Sequence, residues 1–286
     1  MIGQKTLQTK INSLIESNKF PRFGLIVGDM GSGRKTIISQ IIGPQLGTVV
    51  RVKDNSVESV RKVIEVAYTT TVPMVYVFAD IDNMSLSAKN ALLKVTEEPP
   101  NNACFLMTVT STDNVLPTIL SRAYVFQMDS YTRDEIEQYY KEAYYNEPHS
   151  VVKEDLPIVG RYCKTPGDVD LLLSYNPKEF HKYVTLVIDN IAEVSGANSF
   201  KIGNKLNLKK DEEQTDKYDL ALFWKAFNEM CLLRLYESRK YSEGIEITVK
   251  YLTDLRINGL NKQFAFDNWL LDIRRAWMEY ATDTED

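Results

Sequence analysis

The chain has 286 residues, 44% of them hydrophobic, 26% charged and 10% aromatic; that length suits two or three domains and that composition excludes dominant disorder. The net charge of −5 is uneven, with 13 Lys and Arg against 10 Asp and Glu in residues 1–128 and 21 against 29 in residues 129–286, so no strongly basic grip on nucleic acid is visible, and only weak or shared contact is left open. Apolar runs such as Met74–Ala79 fall far short of the ~20 residues that span a bilayer, and the opening Met1–Lys5 leads into a polar amphipathic stretch rather than a secretory leader.

The first half alternates strand and helix. Ile11, Leu14 and Ile15 form a helical face, followed by short β-branched and aromatic runs at Phe23–Val27, Val49–Lys53, Met74–Ala79, Cys104–Thr110 and Tyr124–Met128. Between them, Asp54 and Ser56 are N-cap candidates for a helix whose Val57, Val60, Ile64 and Ala67 share one side. Ala88, Ala91, Leu92 and Val95 repeat that pattern until Pro99 and Pro100 stop it. Strands separated by helices predict an α/β domain over residues 1–128, a five-stranded parallel sheet with helices on both faces. After Met128 the strand pattern ends. Thr132 caps a helix to about Tyr145, a second lies near Glu154–Arg161, and Pro166 opens a third through Leu173, which makes residues 129–176 a small three-helix domain. Residues 177–286 read as a helical bundle with segments Phe180–Val194, Tyr218–Tyr236, Ile245–Leu255 and Phe264–Tyr280, and Gly196–Lys217 as a loop or frayed hairpin. Trp224, Phe227, Trp269 and Trp277 sit on apolar faces there, as bundle core or as interface anchors.

Three cysteines (Cys104, Cys163, Cys231) and two histidines (His149, His181) are too few and too scattered for a disulfide framework, a metal cluster or a histidine-based triad. A reducing, cytoplasmic setting without a metal is expected.

The first strand ends in Gly28-Asp29-Met30-Gly31-Ser32-Gly33-Arg34-Lys35-Thr36, followed by the apolar Ile37–Ile42. Strand, glycine-rich turn and helix is the context of a phosphate loop, whose backbone N–H groups and helix dipole converge on an anion. Against the pattern G-x-x-x-x-G-K-[ST], however, the lysine place holds Arg34, the place of the Mg²⁺-ligating hydroxyl holds Lys35, and Thr36 comes one residue late. Three readings follow: a turn that binds nothing, a loop that holds nucleotide but handles the metal badly, or a one-residue slip that restores Lys35 and Thr36. The strand Val75–Phe78 should end in Asp-Glu, for metal and attacking water, and instead ends in Ala79-Asp80. Asp80 and Asp82 also suit capping of the next helix. Both metal ligands are therefore missing together, as loss of hydrolysis would permit.

Ala91-Leu92-Leu93-Lys94-Val95-Thr96-Glu97-Glu98-Pro99-Pro100 resembles the A-L-L-K-x-L-E-E-P-P signature of the clamp-loader branch of the AAA+ proteins, departing at Thr96. Leu116–Ala123 resembles its L-P-T-I-x-S-R-C, Ile2-Gly3-Gln4 its opening, and Thr165-Pro166-Gly167 the start of its second-sensor helix, where Asp168 stands in place of Arg or Lys. With its degraded loop and retained Ser121-Arg122, the chain most resembles the delta prime group of bacterial DNA polymerase III. That resemblance implies an AAA+ domain, a lid and a collar for oligomerisation. It implies a subunit that does not hydrolyse ATP and supplies Arg122, with Ser121 beside it, to a neighbour's site. Its partners would be gamma/tau-type ATPase subunits, a delta subunit, the sliding clamp and, through the complex, primed DNA, with no membrane. No cofactor would be required; Gly28, Gly31, Ser32, Gly33, Arg34, Lys35, Thr36 and Asp80 would form a degenerate site for ATP or ADP held without hydrolysis. Two other readings stand beside it, an ATPase working through a slipped loop with Lys35 and Thr36, and a nucleotide-binding module outside replication. Lys89 and Lys94 are candidates for DNA phosphate or for a solvated helix face, and Thr110 lies near the first-sensor place.

Overall fold

A computed structural model describes residues 2–144, 153–191, 202–208, 217–255 and 259–282; His149 and the ends of two expected segments, Tyr145 and residues 192–194, lie outside them. The chain divides into two compact units, Met1–Tyr131 and Thr132–Asp286.

The first unit runs α1 (Lys5–Glu16), β1 (Phe23–Val27), α2 (Arg34–Ile37), a π-helical turn (Ile38–Ile42), α3 (Gly43–Leu46), β2 (Thr48–Arg51), α4 (Val57–Thr69), β3 (Met74–Phe78), α5 (Leu86–Glu97), β4 (Ala103–Val109), α6 (Pro117–Leu120) and β5 (Tyr124–Gln127). All five strands are parallel, in the order β2-β3-β4-β1-β5. The expected strands are present to within a residue or two. Each strand's alternation divides the apolar side chains between two faces. Leu25, Val27, Tyr76, Phe78, Phe105 and Met107 pack with Val60 and Ile64 of α4 and Leu92 of α5. Ile26, Val75, Val77 and Leu106 pack with Ile11 of α1 and Ile37, Ile38 and Ile42 after the glycine-rich loop. Burial on both faces is why β1, β3 and β4 read as continuous apolar runs.

Local caps fix where helices begin. Ser56 Oγ accepts from the Ser59 N–H, and Asp54 accepts from the Ser56 N–H and hydroxyl. Ser85 caps α5 by accepting from the Ala88 N–H at 3.2 Å. Asp80 and Asp82 make no such cap: the turn that follows Asp80 lacks a side-chain cap bond, and both carboxylates are committed elsewhere. Gln4 ties the chain start to the end of β5, donating to the Asp129 carbonyl (2.6 Å) and accepting the Asp129 N–H (2.8 Å).

The second unit contains α7 (Arg133–Tyr144), α8 (Leu156–Tyr162), α9 (Pro166–Leu173), α10 (Pro177–Asn190), α11 (Leu220–Leu233), α12 (Lys240–Asp254) and α13 (Lys262–Thr282). Among its described residues, extended pairing is limited to one isolated bridge, Leu206 with Tyr218. Thr132 and Glu135 cap α7 reciprocally. The three tryptophans and Phe227 are fully buried core; none of them is an exposed interface anchor. The exposed apolar residues of α13 are instead Phe264, Leu271 and Met278, seven residues apart on the side opposite the tryptophans. No described helix is long and apolar enough to cross a membrane.

Candidate functional site

The glycine-rich loop leaves the C-terminal end of β1, near the middle of the sheet, and Asp80 follows β3 two strands away. Ligands of parallel α/β sheets bind at this end of the strands. The Gly28 N–H donates to the Val109 carbonyl at 3.2 Å, and a turn closes from the Ser32 N–H to the Asp29 carbonyl at 3.1 Å. Gly31 and Gly33 have φ of 79° and 90°, a region that side chains with a Cβ rarely enter. Gly33 is the N-cap of α2, and its carbonyl accepts the Ile37 N–H at 2.9 Å. Arg34 is thereby the first helical residue, Lys35 the second and Thr36 the third.

The loop's two cations close on one carboxylate. Arg34 Nη2 lies 3.0 Å from Asp80 Oδ1, and Lys35 Nζ lies 2.8 Å from Asp80 Oδ2. Arg34 is only 6% exposed, against 52% for Lys35, and its Nη1 is buried without a hydrogen-bond partner. Asp80 itself adopts the left-handed conformation (φ 53°), and its N–H donates to the buried Thr108 Oγ1 at 2.9 Å. Asp82 Oδ2 accepts the N–H of Thr110 at 2.9 Å and its hydroxyl at 2.5 Å. Thr108 and Thr110 flank the end of β4, the strand between β1 and β3, so β4 supplies the hydroxyls that hold both acidic residues. Ala79 presents only its backbone, whose carbonyl accepts from Asn55 Nδ2 at 2.8 Å.

Of the remaining loop residues, Ser32 and Thr36 face inward or serve the backbone, whereas Asp29 and Met30 are exposed. Ser32 is buried; its hydroxyl is within 3.4 Å of Met128 Sδ, and its carbonyl accepts the Tyr131 hydroxyl at 2.7 Å. Thr36 is half-buried, and its carbonyl accepts from Ser39 Oγ. Thr108, Asn55 and Tyr131 escape a motif reading, because each reaches the site through folding from 24 to 99 residues away.

Arg122 lies at the other end of the sheet. It precedes β5, whose Tyr124 pairs with Gly24 at the start of β1; with ~3.3 Å per residue, the strand separates it from the glycine-rich loop by more than 10 Å. Arg122 Nη2 is 3.1 Å from Glu97 Oε1, and Nη1 donates to the Thr118 carbonyl at 2.9 Å. Ser121 Oγ donates to the same carbonyl at 3.2 Å. Both charged partners are substantially exposed.

Three other candidates have structural employment. Lys89 Nζ donates to the Asp82 carbonyl, and Lys94 lies over the Tyr68 ring. In the second unit Asp168 completes a capping box with Thr165 at the start of α9, and both its oxygens receive Lys225 Nζ, at 2.7 and 3.0 Å. The residue at the second-sensor place is therefore a cap and a tie to α11. The thiols of Cys104 and Cys231 are pushed up to about 12 by burial, which keeps them protonated and poorly nucleophilic at neutral pH.

A central β1 leading into a glycine-rich loop, an acidic residue after β3, the 2-3-4-1-5 sheet and a following helical unit define an AAA+ fold. Among solved structures, a point variant of RuvB from Thermotoga maritima matches with a TM-score of 0.51 and 15% identity, over 82% of this chain and 76% of that one. Within that class, residues 48–132 match the family described as DNA polymerase III, delta subunit. Over 172 residues the chain is 24% identical to the DNA polymerase III subunit gamma of Buchnera aphidicola from Acyrthosiphon pisum, covering 49% of this chain and 47% of that protein. The gamma subunit of the Schizaphis graminum strain is 23% identical over 194 residues, covering 57% and 53%. The chain thus spans about half the length of the curated relatives it matches, and its sequence likeness lies with the clamp-loader branch of the AAA+ proteins.

Proposed function

We propose that this chain is a clamp-loader subunit of the delta prime kind, which leaves ATP hydrolysis to a gamma-type neighbour and presents Arg122 to that neighbour's nucleotide. The observation that carries the reading is the closure of Arg34 and Lys35 on Asp80. In a hydrolysing site the cations face phosphate and a carboxylate faces the metal. Here a single carboxylate of the chain itself engages both cations, and Ala79 has no ligand to offer a metal.

The place of Arg122 supports the second half. It lies at the sheet end remote from its own loop, so it serves another chain's site if it serves one. A guanidinium is always charged and suits a phosphoryl group in transfer. Its pairing with Glu97 is exposed, and pairs of this kind are held weakly enough for a phosphate to replace them. Residues 129–176 and 177–286 then correspond to a lid and an oligomerising collar, and the exposed stripe of Phe264, Leu271 and Met278 offers the collar a surface for neighbouring subunits. Primed DNA and the sliding clamp are met through the assembled complex, and the setting is cytoplasmic.

Turnover of ATP in magnesium by the isolated chain, and by the chain reconstituted with a gamma-type ATPase, a delta subunit, clamp and primed DNA, tests the reading. The isolated chain should be inactive, and Arg122→Ala should lower turnover of the mixture by about tenfold or more while the complex still forms. Full activity of the mixture with that variant defeats the role of Arg122; turnover by the isolated chain that disappears in Lys35→Ala defeats the inactive reading.

A further inference from the structure

The helix after the glycine-rich loop is held at both ends and contains one wide turn between them. At its start, Gly33 caps the first turn by a regular bond from Ile37, and Arg34 and Lys35 are held by Asp80. At its end, Gly43 lies against β2, where an added Cβ would come within 2.2 Å of Val49 Cγ2, and the Gly47 N–H returns to the Gly43 carbonyl at 3.0 Å. Between these points the helix widens. The Gly43 N–H donates to the carbonyl of Ile38, five residues back instead of four. A turn closed in this way holds one residue more than an α turn, and such turns occur mostly as single interruptions of α-helices.

The same surplus of one residue appears in the motif. Gly28 and Gly33 have the spacing of a phosphate loop, but Arg34 stands between Gly33 and the pair Lys35-Thr36. Arg34 is also an uneasy occupant, a nearly buried guanidinium with one nitrogen that has no acceptor.

We propose that Arg34 is the added residue of a lengthened phosphate loop, that the wide turn at Ile38–Ile42 absorbs it, and that its presence displaces Lys35 and Thr36 by one place from where they would hold the phosphates of a nucleoside triphosphate. The loop is closed by its length rather than by loss of its functional groups. This inference stands apart from the role of Arg122.

Two single-residue deletions in the full chain test it, read by titration with ATP carrying a fluorescent ribose label, with and without magnesium, and by thermal unfolding. Deletion of Arg34 leaves Gly28-x4-Gly33 directly followed by Lys35 and Thr36; label binding should tighten by about tenfold or more, the worth of one charge-assisted bond to phosphate. Deletion of the exposed Gln40 inside the wide turn should leave a folded chain whose label binding equals that of the unaltered chain, because Arg34 keeps the first helical place. Equal binding by the unaltered chain and the Arg34 deletion overturns the proposal. So does tighter binding on deletion of Gln40. Unfolding of the Gln40 deletion shows that the turn does not hold a surplus residue, and unfolding of the Arg34 deletion alone shows that the surplus residue is not Arg34.

Discussion

Arg122 Nη2 sits 3.1 Å from Glu97 Oε1, so the two sequence signatures that resemble clamp loaders, Ala91–Pro100 and Leu116–Ala123, meet in a single ion pair. Glu97 closes α5 and Arg122 follows α6. Under the proposed role of Arg122, Glu97 is the group that holds the guanidinium until a phosphate replaces it.

Because both partners of this pair face solvent, it should matter little to folding. Glu97→Gln and Arg122→Ala should each change unfolding free energy by about 1 kcal/mol or less, as measured by urea denaturation at moderate salt. Any larger effect of Arg122→Ala on an assembled complex would then report function rather than stability.

The Arg34–Asp80 pair should behave in the opposite way. Arg34 is buried, and removing its carboxylate partner leaves an uncompensated charge in the interior. Asp80→Ala should destabilise the first unit by about 3 kcal/mol, whereas Lys35→Ala, at an exposed site, should cost little. Adding Arg34→Met to Asp80→Ala should recover much of the loss. A double-mutant cycle by denaturant unfolding checks this, and additive effects would contradict it.

Asp168 offers a third test. Its carboxylate accepts the Lys164 and Thr165 N–H groups, both at 3.0 Å, as well as Lys225. Asp168→Lys, which restores the charge of a second sensor, should destabilise the helical unit by about 3 kcal/mol or more through loss of the cap and apposition to Lys225. Lys225→Met in the same chain should relieve part of that cost. Unfolding followed by tryptophan fluorescence is suited to it, since Trp224, Trp269 and Trp277 all lie in this unit.

His181 should give the same unit a pH dependence. Burial, and then the nearby charge of Arg161, hold its pKa below the usual 6.5, and its Nδ1 meets the Tyr162 hydroxyl at 2.5 Å. The unfolded chain therefore binds the proton more readily than the folded one. The stability tied to neutral His181 is present above pH 6.5 and is lost as the pH falls from there through the lower folded value. Thermal unfolding from pH 7.5 to 5.5 should fall more steeply for the unaltered chain than for His181→Asn.

Much of this was legible along the chain because it is local. Runs such as Val75–Phe78 are apolar throughout because both sheet faces are covered, and Ser56, Thr132 and Pro99 mark helix ends through bonds to, or denied to, the nearest few residues. The departures of the loop and of Ala79 from a hydrolysing pattern are likewise matters of spacing. Under the proposal that Arg34 is a surplus residue, the motif offers a one-residue slip as one of three readings, and nothing in the sequence tells where the helix would absorb it.

What the sequence by itself determined, then, is the order of strands and helices, the α/β class they imply, the motifs at Ala91–Pro100 and Leu116–Ala123 that carry the AAA+ resemblance, and the absence of metal-binding groups at Ala79 and at the hydroxyl place of the loop. Tertiary structure alone decided the electrostatics. It brought Asp80 to Arg34 and Lys35 from the end of another strand, gave Asp168 a partner in Lys225, and set Arg122 on Glu97 at the far end of the sheet. The physical reason is that a strand or a cap depends on neighbours in the chain, whereas the partner of a charge depends on which strand ends the sheet brings side by side.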